Sequence, residues 1–136
     1  MSAWTPCPYV ADYPFDAERV RAMWPQLHAV DAEPLPGSDA LMQGWALFHS
    51  GRFHEAAETG LALGVDGWSL ANRATAAQAA LVEPNENVRL DLFKRVHLQA
   101  SALTLQRPQL ANAWYWQGYA LARYAQGIHV ARALAQ

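Results

Sequence analysis

Cysteine is nearly missing from this sequence: Cys7 stands alone between Pro6 and Pro8, so neither an internal disulfide nor a Cys-x-x-Cys pair can form. That points to a reducing compartment and to an irregular, fairly exposed setting for the thiol. Charge is scarce too. Asp, Glu, Lys and Arg make up only 16% of the 136 residues, and the single adjacent basic pair is Lys94-Arg95. Gripping a phosphate backbone or an anionic bilayer takes clustered Lys and Arg, so neither nucleic acid nor a membrane is expected as a partner. No apolar run approaches the roughly 18 residues that a membrane span needs, and no basic region leading into an apolar stretch opens the chain. A soluble cytoplasmic protein is the default. Motifs for chemistry are absent as well. Gly60, Gly64 and Gly67 fit neither a P-loop nor a dinucleotide fingerprint, and there is no HExxH and no Cys/His cluster. No metal, no cofactor and no catalytic residue is expected.

What the chain does have is apolar and aromatic bulk. Hydrophobic residues reach 52%, with six Trp and five Tyr, and this length gives one domain with a real core. Part of the apolar surplus is expected to be interface. The stretch Ala40–Leu47, ALMQGWAL, returns near the other end as AWYWQGYAL over Ala113–Leu121. Gln43-Gly44-Trp45-Ala46-Leu47 and Gln117-Gly118-Tyr119-Ala120-Leu121 share one order: a Gly where two helices could approach closely, a large aromatic, then Ala-Leu. Taken as copies of one helix, they predict a stacked-helix fold.

Read in order, residues 1–14 form an extended arm, with Pro6, Pro8 and Pro14 resisting regular structure and Trp4, Tyr9 and Tyr13 laid on the body. Asp16 can cap a helix over about 16–29, stapled by Phe15 and Val20 and bent near Trp24 by Pro25. AEPLPG over 32–37 is a linker. Ser38 or Asp39 caps the next helix, whose buried stripe is Leu41, Gly44, Trp45 and Phe48 and whose stop is Gly51. Phe53, Ala56, Ala57, Gly60 and Leu61 then pack back as the second arm of an αα-hairpin, stopped at Gly64. Asp66 is a candidate cap for a helix through Trp68, Ala71, Ala74 or Thr75, and Gln78. Asn85 or Asn87 caps the next, with Val88, Leu92, Val96, Ala100 and Leu103 on one face up to Pro108. A third unit starts near Ala113, turns at Gly127, and ends in a short segment from Ile128 to Gln136.

This pattern resembles the tetratricopeptide (TPR) superfamily, whose unit is a pair of antiparallel helices of about 34 residues. Gly44, Gly51, Phe53 and Ala56 stand where that family has its two glycines, a turn aromatic and an inward alanine, and Pro108 fits its closing proline. The middle unit departs from it, with Ala74 at the small position and a longer loop; in the third, Ala125 replaces the turn glycine. The order NRATAAQAALVEP, a helix, then NAWYWQGYALARYAQG also looks like bacterial TPR-like proteins with no assigned reaction, of which this chain would be a shortened member. The resemblance implies an all-α, right-handed stack of about six to seven helices, with 1–37 as an arm and first helix packed on repeats over 38–136. It implies a non-catalytic scaffold that holds a peptide or protein in a groove. Carried over by position, that groove is lined by Leu41, Trp45, Phe48 and His49, then Ala71, Thr75 and Gln78, then Asn112, Tyr115, Tyr119 and Arg123. Leu41 and Trp45 fall on places where the family's carboxylate clamps carry Lys and Asn, so such a clamp is not expected.

Residues that could carry chemistry have simpler explanations. His49 and His54 flank the turn SGRF without further ligands at metal spacing and read as polar turn residues. His97 reads as a hydrogen-bonded histidine between helices, Glu55 and Glu58 as a solvated face, and His28 and His129 as isolated. Trp114, Tyr115 and Trp116 point in different directions on a helix, so at most one or two of them can line a groove while the rest belong to the core. The final segment has no polar outer face, so Ile128 and Leu134 are expected to be covered by a second copy in a homodimer. The alternative from another class is a small helical ligand-binding protein or enzyme, with an aromatic-lined pocket between hairpins and His97 in it.

Overall fold

The computed structural model describes residues 4–10 and 14–135; of the expected arm contacts, that of Tyr13 lies outside them. Among the described residues there are six α-helices and no strand: α1 (Ala17–Leu27), α2 (Asp39–His49), α3 (Phe53–Ala62), α4 (Trp68–Ala77), α5 (Glu86–Gln106) and α6 (Ala111–Ala135). No helix among them is long and apolar enough to cross a membrane.

Local chemistry sets most of the helix ends. Asp16, Ser38 and Asn85 each accept a bond from the backbone N–H three residues on, capping α1, α2 and α5. Gly51, at φ 82°, lets the chain leave α2 in the left-handed conformation that a side chain disfavours, and Gly64 at φ 72° does the same after α3. Asp66 is not a cap. A 3₁₀ turn over Gly64–Gly67 runs directly into α4, with Gly67 at the cap position and Asp66 ion-paired to Arg107 at 2.9 Å. Gly60 and Gly67 are both required because their backbones touch: a Cβ on either would strike the main chain of the other. α4 ends in a π turn, Gln78–Val82.

Consecutive helices pack on one another, and α4 also touches α2 and α6. The larger core lies between α1 and α4 and gathers Val20, Trp24, Met42, Trp45, Phe48 and Leu70 with small alanines. Two smaller clusters, around Val96 and Trp116 and around Leu92 and Phe93, join α5 and α6 to α4. The N-terminal arm is a strap. Thr5 donates through N–H and Oγ1 to the Glu83 carboxylate at 2.8 and 2.5 Å, and Gln78 donates to both Thr5 O and Glu83 at 2.7 Å. The Trp4 ring lies tilted against that of His54, centroids 4.8 Å apart.

Two expectations about the end of the chain are corrected. Gly127 is no turn: α6 runs unbroken through it, so the segment from Ile128 is not a separate helix, and the described residues hold six α-helices, within the expected six to seven. The glycine is where α6 meets α5, because a Cβ there would collide with Leu90. Gly118, in contrast, is exposed with nothing within 4 Å of where its Cβ would be, so it marks no close approach.

Candidate functional site

The turn after α1 builds a polar cluster in the larger core. Ala32 sits at φ 52°, a conformation that costs an L-residue roughly 1 kcal/mol. The turn places the residues on either side of it. Asp31 accepts from Nδ1–H of buried His28 at 3.0 Å, and Glu33 N–H donates to the same carboxylate at 3.2 Å. Trp24 stacks on the His28 ring, centroids 3.9 Å apart, and donates its indole N–H to Glu33 O at 2.9 Å. On the far side of His28, its Nε2 faces Nε2 of His49 at 2.9 Å. With Nδ1 of His28 holding a proton for Asp31, only one proton fits between the two Nε2 atoms. Burial lowers both histidines below their ordinary pKa, in His28 against the opposing pull of Asp31, and in His49 to about 4 with help from His28 and Arg73. Both rings are therefore neutral at pH 7. The Arg73 guanidinium lies between the rings of Phe48 and Trp116, at 5.2 and 4.8 Å.

Glu33 carries the cluster outward. Its Oε1 accepts from Ser69 Oγ of α4 and from Asn112 Nδ2 of α6, both at 2.7 Å, and burial raises its pKa against the pull of those two bonds. It lies at the edge of a cleft of about 450 Å³, formed by the 33–38 segment, Leu41 and Trp45 of α2, Ser69 of α4, and Leu103, Arg107 and Leu110 at the far side. The Asp66–Arg107 ion pair sits at its rim. Set against known proteins, the chain matches no family model, no curated protein and no solved structure.

The residues assigned to a groove by position fall into separate places. Trp45, Thr75, Gln78 and Asn112 are buried. Trp45 lies between the cleft and the histidines, Asn112 holds Glu33, Thr75 bonds Ala71 O of its own helix, and Gln78 belongs to the strap. His49 is half-buried against His28. Tyr115, Tyr119 and Arg123 form a ladder along α6: the two tyrosines stack at 6.0 Å, and Arg123 donates to the Tyr119 hydroxyl at 2.9 Å while lying over Phe93. Trp45, His49 and Asn112 thus meet around the polar cluster, and the α6 ladder stands apart from them. Ile128 is half-buried and Leu134 is 83% exposed on the last turns of α6.

The other histidines are also placed. His97 Nδ1 donates to Gln117 O at 3.2 Å, bridging α5 and α6. His54 pairs with Glu58 at 2.9 Å, away from His49, and among the described residues no group of three ligands suited to a metal occurs. His28 is not isolated; it is the centre of the cluster. Glu33, Asp31, Ser69 and Arg73 carried no sequence signal beyond the His28–Asp31 spacing of three.

Proposed function

We propose that this protein is a non-catalytic interaction module, a TPR-like stack of αα-hairpins that holds a peptide or protein segment. The observation that carries this reading is the cleft between the 33–38 segment, α2, α4 and α5: apolar walls from Leu41, Trp45, Leu103 and Leu110, and a fixed carboxylate at one edge. Its volume of about 450 Å³ is of the size that takes a few side chains. The stacked part of the reading is supported by α4, which touches α2 and α6 as well as its sequence neighbours. Against catalysis stands His49, whose pKa of about 4 makes it a weak base at neutral pH and which lines a different hollow, with Cys7 and Phe53. The lone cysteine favours a cytoplasmic setting. A homodimer through Ile128 and Leu134 is supported by the exposed apolar last turns of α6, and light scattering that finds only monomer at high concentration removes it.

A displayed random-peptide library tests the module. Selected peptides should lose binding to Leu35→Asp, at the cleft mouth, and keep it with Leu81→Asp, an exposed leucine outside the cleft. A library that yields no binders, or binders indifferent to Leu35→Asp, contradicts the reading. The second reading, a small-ligand protein or enzyme, is favoured by the Asp31–His28–His49 chain. A metabolite that raises the melting temperature only when His49 is intact would support it.

A further inference from the structure

We infer that the cleft receives a cationic side chain, a lysine ammonium or an arginine guanidinium, from a peptide segment, and that Glu33 is its receptor. This deepens the reading of the cleft as a peptide site and rests on it. A carboxylate has about four lone-pair positions. Here both protein bonds, from Ser69 and Asn112, go to Oε1, while Oε2 has no partner among the described residues and is not sealed from solvent. The nearby charges do not complete it. Arg73 is held between two aromatic rings and makes no ion pair with Glu33, and Arg107 is engaged by Asp66. With that pair cancelling, the charge left facing the cleft is the one on Glu33. The carboxylate is also held in advance, by side chains from α4 and α6 and by the indole N–H of Trp24 on its own carbonyl, so binding orders little that is not already ordered. The apolar wall runs well past Glu33, through Leu35, Leu41 and Leu110. A cation carried on a longer chain fills that space and a free amine does not.

The test uses capped pentapeptides with leucines flanking a central lysine, arginine, norleucine or acetyl-lysine, titrated into the full chain by calorimetry, with n-butylammonium as a separate arm. The lysine and arginine peptides should bind about tenfold tighter than norleucine or acetyl-lysine, the increment of one charge-assisted hydrogen bond. Glu33→Gln, which keeps an acceptor for Ser69 and Asn112, should erase that preference and leave norleucine binding unchanged. Lowering the pH toward Glu33 protonation should erase it in the unmodified protein, which keeps the proposal testable where the variant fails to fold. Equal binding of lysine and norleucine peptides, or a lysine preference that survives Glu33→Gln, overturns the receptor role but leaves a peptide cleft standing. No binding of any peptide removes both, and n-butylammonium binding as tightly as the lysine peptide overturns the peptide source.

Discussion

Gln43–Leu47 and Gln117–Leu121 carry almost the same letters on two helices, yet they live in different surroundings. Gly44 is buried where α2 meets α3 and α4, and a Cβ there would strike Leu70 and press on Thr59. Trp45 beside it is 2% exposed. Gly118 faces solvent and Tyr119 is only half-buried. The reason lies in the neighbours. α2 is enclosed by α1, α3 and α4, whereas α6 packs mainly on α5 and touches α4 along one side. Near-identical patterns on a central and a flanking helix thus bury different residues. α6 meets its partner at Gly127, nine residues after Gly118. The two segments are both helical, but they are not equivalent copies.

Substitutions at matched positions sharpen that contrast. Trp45→Ala should destabilise by about 3–5 kcal/mol, as removal of a fully buried aromatic does, while Tyr119→Ala should cost about 1–2 kcal/mol, for a half-buried ring keeping part of its solvent contact. Urea unfolding measures both, and equal losses would make the two segments equivalent after all. Next come the glycines. Gly44→Ala should cost about 2 kcal/mol by overpacking against Leu70 and Thr59, whereas Gly118→Ala should add about 0.5–1 kcal/mol through helix propensity at an open position. A loss at Gly118 comparable to that at Gly44 breaks the comparison.

Acid sensitivity separates the two regions in another way, because it is centred on the α1–α2 end. His28 and His49 have folded pKa values below the ordinary 6.5, so between about pH 6.5 and 4 the unfolded chain binds their protons first. Stability is full above that window and falls as the pH drops through it, by on the order of 1–2 kcal/mol once partial solvent screening is allowed for. Glu33 works the other way: burial raises its pKa, so the folded form is the first to take its proton as the pH falls, which offsets part of the loss. Burial alone would raise the Glu83 pKa, but the bonds from Thr5 and Gln78 hold it below 4.5, so its contribution is lost only at lower pH. His49→Phe should flatten the pH 6.5–4 slope. A slope unaffected by His49→Phe removes the neutral histidine pair.

The sequence was most legible where structure depends on residues close in the chain. The cap at Asp16 and the stops at Gly51 and Gly64 need only a few adjacent residues and are found, and of the paired candidates Ser38 or Asp39 and Asn85 or Asn87 the structure uses Ser38 and Asn85. His97 between α5 and α6 was also readable from its apolar helix face. Gly127 misled because a glycine at a helix contact and a glycine at a turn look alike without their neighbours. The cluster was illegible for a related reason. Glu33 meets Ser69 and Asn112 across 36 and 79 residues, and His28 meets His49 across 21, so no local spacing announces them. Glu33 also sits in a proline-rich stretch that reads as a linker and leaves no periodic trace.

The most direct test is a backbone and indole NMR titration with the lysine pentapeptide. Shift changes are expected at Leu35, Leu41, Ser69 and the Trp45 indole, around the cleft, with the Tyr115–Tyr119–Arg123 ladder unmoved. Changes concentrated on α6 with a silent cleft would contradict the peptide-cleft reading.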